Sequence, residues 1–198
     1  MMRVAIVLPA LLLTTCNDKG PSAQTASSTY WTIAYSPNMP SRMSGIEGNW
    51  YFDFPSQNGV HYVYKSAPAV KIGQTITMRF AITGNAQFIP TEGTATARVR
   101  LFLQQKGDTL TAAEPYKRWW SLAYVELKNG EFTLTATLSP EQWLSVFGKI
   151  GNEVPAEFNN CISQLANIGF TFGGTFAGHG VYVAGGSARF ILKQFSID

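Results

Sequence analysis

Two strand-like runs decide the fold class of this chain: IGFTFGG at residues 168–174 and SARFILKQFSI at residues 187–197. Aromatic and β-branched residues are frequent in both runs, as is typical of β-strands. Seven glycines lie between positions 169 and 186, so the intervening loop can adopt backbone conformations that other residues resist. His179 lies in this loop, between two of the glycines. The stretch therefore predicts two strands that flank a glycine-rich loop.

Three earlier segments alternate apolar and polar residues with a period of two, namely Thr75–Thr83, Thr96–Gln104 and Phe132–Leu138. A period of two with one apolar face predicts antiparallel strands that bury one side. We therefore expect one core between two sheets. Its predicted members are Ile76, Met78, Phe80, Val99, Leu101, Leu134, Phe170, Phe190 and Leu192.

Aromatic runs predict three further strands, at Tyr30–Tyr35, Asn49–Phe54 and Val60–Tyr64. The Asn58-Gly59 pair between the last two is a turn signal, and it predicts that they form a hairpin.

Two short helices are expected between the later strands. Ser139 is a candidate cap, with Pro140 at the first helical position, and this helix would extend to Gly148. The second would cover Pro155–Ala166, where Cys161 shares an apolar face with neighbouring residues and is expected to be a buried thiol. The fold class that follows is all-β, a two-sheet antiparallel β-sandwich with two short helices.

Composition and the N-terminal residues indicate where the protein works. Only 14% of its 198 residues are charged, and the net charge of +3 is too small to favour a nucleic-acid partner. Residues 1–16 combine a short basic start and ten apolar residues, and their Leu-Thr-Thr-Cys end resembles a bacterial lipobox, although the family prefers a smaller residue at Thr15. We expect lipidation at Cys16, a membrane anchor, a flexible tether at 17–29 and one sandwich domain at 30–198. An ordinary secretory signal is the alternative.

The order of these elements, closing with the glycine-ended strand and Phe-x-Leu-x-x-Phe-x-Ile, resembles the galactose-binding-like jelly rolls that serve as carbohydrate-binding modules. The resemblance covers Asn49 to Asp198, and no family motif places ligand residues. It implies a non-catalytic domain that binds a polysaccharide or another glycan in the bacterial cell envelope. It also implies that a structural calcium ion could be held by carbonyl groups of the glycine-rich loop.

Aromatic and cationic side chains are the candidate ligand residues. Tyr116, Arg118, Trp119 and Trp120 fall together, and sugar rings pack on indole rings while guanidinium groups bond hydroxyls. In a strand the two tryptophans point to opposite faces, and the sequence leaves open which of them lies in the core. Arg98 and Arg100 would form a basic face with Arg79 and Gln104 if their strands are neighbours, and His179 is a loop candidate.

The sequence lacks common catalytic motifs, so it does not favour an enzyme. Gly-x-Ser-x-Gly, the P-loop and zinc-ligand spacing are absent from the sequence. One alternative is a jelly-roll polysaccharide lyase acting on acidic glycans, which would need a groove joining His61 or His179 to an arginine and a tyrosine. Another is a structural envelope or phage-related surface protein without a small ligand.

Overall fold

A computed structural model describes residues 30–198, so Cys16, the predicted signal peptide and the tether lie outside the described residues. The described chain forms one α-helix, two short 3-10 turns and thirteen strands. The strands are β1 (Thr32–Ala34), β2 (Trp50–Asp53), β3 (Tyr62–Ser66), β4 (Thr75–Gly84), β5 (Gln87–Pro90), β6 (Arg98–Gln105), β7 (Arg118–Ser121), β8 (Val125–Glu126), β9 (Gly130–Thr137), β10 (Trp143–Ser145), β11 (Leu165–Gly173), β12 (Val181–Ala184) and β13 (Ala188–Ile197).

The strands form two main antiparallel sheets, as the alternating pattern predicts. Sheet A has seven strands in the order β1-β3-β11-β6-β7-β10, with β8 beside β6. Sheet B has four strands in the order β2-β13-β4-β9. A separate ribbon pairs β5 with β12. The inner faces of both sheets supply one hydrophobic core, so the protein is a β-sandwich.

The predicted core residues are confirmed. All nine lie in one cluster of buried side chains, and none exposes more than 3% of its surface. Phe190 of β13 occupies the centre of an aromatic group, with ring centroids 5.0 Å from Phe80 and from Phe170 and 5.2 Å from Phe52. The group joins strands of both sheets and is therefore expected to contribute strongly to stability.

The predicted hairpin between β2 and β3 is wrong, because the two strands belong to different sheets. Asn58 and Gly59 do adopt the positive φ angles, 60° and 66°, that a two-residue turn needs. However, Pro55 follows directly after Phe54, and the chain then crosses from one sheet to the other. Val60 pairs with Val181, while β2 pairs with β13.

Only one of the two predicted helices is an α-helix. The helix α1 covers Pro155–Ser163 and buries Cys161 among apolar side chains, and this burial raises the pKa of its thiol. Ser139–Gly148 instead gives a 3-10 turn at Pro140–Gln142 followed by β10. The side chain of Gln142 accepts a hydrogen bond from the backbone N–H of Thr137 at 2.8 Å, so it caps the end of β9 and not a helix. No helix among the described residues has the length and apolar character to cross a membrane.

Candidate functional site

Trp119 lies inside the sandwich and cannot serve as a ligand platform. Its side chain is fully buried, and its ring meets Phe158 of α1 edge-on, with centroids 5.1 Å apart. Its indole N–H donates to the carbonyl oxygen of Tyr116 at 2.8 Å, and the Tyr116 ring stacks on it at 6.2 Å. The predicted ligand contact at Trp119 is therefore wrong, because β7 directs this side chain into the core.

Trp120 points to the opposite face of sheet A, as the strand period predicts. It exposes 7% of its surface and packs with Tyr62 and Phe102 in a small second cluster, which Leu110 helps to cover. Leu110 belongs to the connection between β6 and β7, which passes over this face. The prediction that one of the two tryptophans offers an open ring is wrong, because that connection closes over the outer one.

The side chain of Arg118 forms a buried ion pair with Asp108. Its Nε lies 3.3 Å from Oδ1 of Asp108, and the two side chains expose 5% and 0% of their surfaces. Neither atom makes a hydrogen bond, so the pairing is electrostatic. Arg118 also donates to the carbonyl oxygen of Thr111, and Gln104 donates to Oδ2 of Asp108 at 2.8 Å. These contacts fix the connection between β6 and β7 and leave the guanidinium no surface for a ligand.

Arg98 and Arg100 lie on sheet A, whereas Arg79 lies on sheet B, so the predicted shared basic face does not form. Both guanidinium groups of sheet A stack over the ring of Tyr124, at 4.1 and 4.8 Å from its centroid. Arg100 donates to the carbonyl oxygens of Ser121 and Leu122 at 2.6 and 2.7 Å. A ligand role for this pair stays a prediction.

His179 lies beside an open groove of about 560 Å³ that also contains His61, Glu92 and Tyr182. Its Nδ1 is 2.6 Å from a carboxylate oxygen of Glu92, and 43% of its side chain is exposed. The ring nitrogens of His61 lie 2.9 and 3.0 Å from the carbonyl oxygens of Gly178 and Asn58, so this ring ties two loops together.

This groove lacks one part of the expected lyase site, because none of the described residues that line it is an arginine. A ligand role for His179 stays a prediction. Among residues 30–198, no three His, Cys, Asp or Glu side chains are grouped as a metal site requires. The expected calcium ion, which carbonyl groups would hold, stays a prediction as well.

A pocket of about 620 Å³ opens where the edges of the two sheets meet, and sequence reasoning did not find it as a site. Three aromatic side chains line it: Trp31 before β1, Trp50 at the start of β2, and Phe195 in β13. Trp31 is buried, with 3% of its surface exposed, and its ring meets the Phe195 ring edge-on, with centroids 5.0 Å apart. Trp50 and Phe195 are partly exposed and present ring surface to the pocket.

Backbone geometry adds polar groups to this pocket. Strand β13 pairs with β2 only over Arg189–Leu192, and beyond that point it runs beside β4 alone. The register with β4 shifts between Leu192 and Gln194, which makes Lys193 the extra residue of a β-bulge. On the open side of β13, backbone groups of residues 193–197 therefore lack a strand partner among the described residues.

Charged side chains complete the pocket. Lys65, from β3, holds its ammonium nitrogen 5.2 Å from the Trp31 ring centroid and 5.5 Å from that of Phe195. Burial lowers the pKa of Lys65, and the nearby charge of Glu47 acts in the opposite direction. The parts of the pocket are distant in sequence, and only two local signals could have pointed to it: Trp50 in the predicted strand Asn49–Phe54, and a lysine two residues after the core residue Val63.

The chain is therefore a two-sheet β-sandwich, and at the edge of its sheets it has a pocket lined by aromatic rings and a lysine. No family model matches the sequence, and no curated protein matches it. Among solved structures, a xylan-binding module CBM15 is similar in fold at 14% sequence identity and a TM-score of 0.41. The match covers 83% of this chain and 90% of that one. A similarity of this size indicates no ligand for the present chain.

Proposed function

We propose that this protein is a non-catalytic carbohydrate-binding domain and that the pocket of Trp31, Trp50 and Phe195 is its binding site. The observation that carries the proposal is the partly exposed pair of Trp50 and Phe195 beside the unpaired edge of β13. Sugar rings have an apolar face that packs on aromatic rings, while their hydroxyls need hydrogen-bond partners at the rim. Backbone groups of β13 and the side chains of Gln194 and Ser196 offer such partners.

Strand order supports a jelly-roll sandwich, the architecture of the modules that the sequence resembles. Eight strands can be numbered one to eight along the chain: β2, β3, β4, β6, β7, β9, β11 and β13. Sheet B then reads 1-8-3-6, and the central part of sheet A reads 2-7-4-5. All connections but that from four to five cross between the sheets, which is the interleaved order of a double Greek key.

The groove that contains His61, His179 and Tyr182 does not match the lyase alternative, because that alternative needs an arginine there and none of the described lining residues is one. No observation in the described structure favours that alternative over binding.

Replacing Trp50 with alanine is expected to weaken glycan binding by about 1–3 kcal/mol, because the variant loses one aromatic anchor. A glycan array would identify the ligands of the parent protein, and calorimetry would compare the two affinities. Phe147→Ala is the matched control, since Phe147 is 63% exposed and lies outside the pocket. The proposal for this pocket is wrong if Trp50→Ala binds every parent ligand unchanged. A parent protein that binds no glycan would refute carbohydrate binding itself and favour a structural surface protein.

We also propose that the protein is a lipid-anchored component of the bacterial cell envelope. The support is the sequence of residues 1–16, where a short apolar run ends at Cys16. We expect mass spectrometry of the membrane fraction to find a mature chain that starts at a diacylated Cys16. The Cys16→Ser variant should no longer be found in the membrane fraction. A soluble mature protein that starts at another residue would contradict the proposal.

A further inference from the structure

Lys65 occupies a position that strand geometry assigns to the core. In β3, Tyr62 belongs to the outer cluster of sheet A and Val63 to the main core, so Lys65 is the next inward position after Val63. Its neighbour across the sheet is Ile168, which is fully buried. A lysine here is half-buried between the sheets, at the mouth of the pocket, where an apolar residue would fit the pattern.

The ammonium group of Lys65 lacks an acceptor within the described structure. It contacts the rings of Trp31 and Phe195, but it makes no hydrogen bond and no ion pair with a carboxylate there. Glu47 is near enough to influence it electrostatically and not near enough to pair with it. Aromatic rings compensate only part of the lost hydration of an ammonium group, which has three donors to satisfy.

We propose that this pocket selects glycans that carry a carboxylate, and that Lys65 binds the carboxylate of a uronic acid residue. This inference rests on the proposed carbohydrate-binding function and names the class of its ligand. The sugar ring would lie against Trp50 and Phe195, with its carboxylate directed at the Lys65 ammonium, which lines the same pocket 5.5 Å from the Phe195 ring centroid. The carboxylate would give the ammonium a charged acceptor within the pocket.

The other charges at the pocket set its selectivity. Lys193, at the bulge of β13, adds a second positive charge at the rim, and Glu47 adds one negative charge. The charged side chains that line the pocket are two lysines and one glutamate, so their net charge is +1. Glu47 is exposed and Lys65 is half-buried. Solvent therefore screens the repulsion between Glu47 and the ligand more strongly than the attraction between Lys65 and the ligand.

The test uses calorimetry on the protein with three uronate oligosaccharides: oligogalacturonate, oligomannuronate and glucuronoxylan fragments. Each is compared with its carboxyl-reduced counterpart, which keeps the same linkages and loses the charge. At least one uronate should bind roughly tenfold to a hundredfold more tightly than its reduced form, the gain of a charge-assisted hydrogen bond. This preference should weaken as the salt concentration rises.

Three variants assign that preference to Lys65. Lys65→Met retains the apolar stem against Trp31 and should lose most of the difference in affinity between each uronate and its reduced counterpart. Glu47→Gln should strengthen uronate binding, because it removes the repulsion. Lys71→Met is the matched control, an exposed lysine outside the pocket, and should change nothing. Thermal unfolding confirms that each variant folds.

The outcomes separate this inference from the function on which it rests. Equal binding of charged and reduced forms, with both weakened in Trp50→Ala, would overturn the uronate inference and leave carbohydrate binding intact. An unchanged preference in Lys65→Met would overturn the role of Lys65. If no oligosaccharide binds at this pocket, both the inference and the proposed site are wrong.

Discussion

Replacing Phe190 with alanine is expected to lower the free energy of unfolding by about 3–5 kcal/mol, the cost of truncating a buried phenylalanine. The side chain has no exposed surface, and its ring lies against rings of both sheets, including Phe80 and Phe170. The cavity left by the ring would be lined by neighbours that belong to different sheets, so it cannot close by moving one strand. Chemical denaturation followed by fluorescence would measure the loss.

Phe147→Ala is the control for this variant, since its ring is largely exposed and should contribute less than about 0.5 kcal/mol. A loss below about 1 kcal/mol for Phe190→Ala would mean that the inner face of β13 is assigned wrongly.

Replacing Arg118 with methionine is expected to cost about 3–5 kcal/mol at neutral pH, because it leaves the buried carboxylate of Asp108 without its cation. The exposed pair of Arg189 and Asp53 is the matched comparison. Its atoms approach to 2.7 and 2.9 Å, yet its side chains are 44% and 63% exposed, so Arg189→Met should cost much less stability than Arg118→Met.

The pH dependence gives this prediction a second readout. Burial raises the pKa of Asp108 above its ordinary value of 3.8, while Gln104 and Arg118 act to lower it. The folded state therefore binds this proton more tightly than the unfolded chain does, so the contribution of Asp108 to stability falls as the pH rises past 3.8. Without Arg118 the pKa rises further, so Arg118→Met should be much closer to the parent in stability at pH 4 than at pH 7.

A double variant tests the cause. Adding Asp108→Asn to Arg118→Met removes the unpaired charge and should recover a large part of the loss at pH 7. If Arg118→Met costs no more than Arg189→Met and shows no extra pH dependence, the pair does not hold the connection between β6 and β7.

The fold class could be predicted because residues in a half-buried strand must alternate. Ile76, Met78 and Phe80 face the core for that reason, and so do Val99 and Leu101 of β6. The same period also predicted that Trp119 and Trp120 face opposite ways. It cannot say which sheet a strand joins, however, and so the Asn58-Gly59 signal suggested a hairpin where the chain changes sheets.

The binding site was less predictable, because its parts meet only after the sheets pack. The three aromatic residues of the pocket lie far apart in the sequence: Trp31 and Trp50 are near the start of the described chain, and Phe195 is near its end. No local spacing links them. The clustered aromatics at 116–120 gave a stronger local signal, but it belonged to the core and to a buried ion pair. Alternation did contain one clue, since Lys65 follows Val63 at an inward position, where a charge contradicts the pattern.

The position of β13 in sheet B has a consequence for how the chain folds. It lies between β2 and β4, so these two strands meet only through the last strand of the described chain. The Arg189–Asp53 contact alone spans 136 positions. Until β13 is in place, β2 therefore lacks its strand partner in sheet B, and β4 pairs with β9 on one side only. Pairing over such separations places folding on the order of milliseconds to seconds, the slow range for single domains.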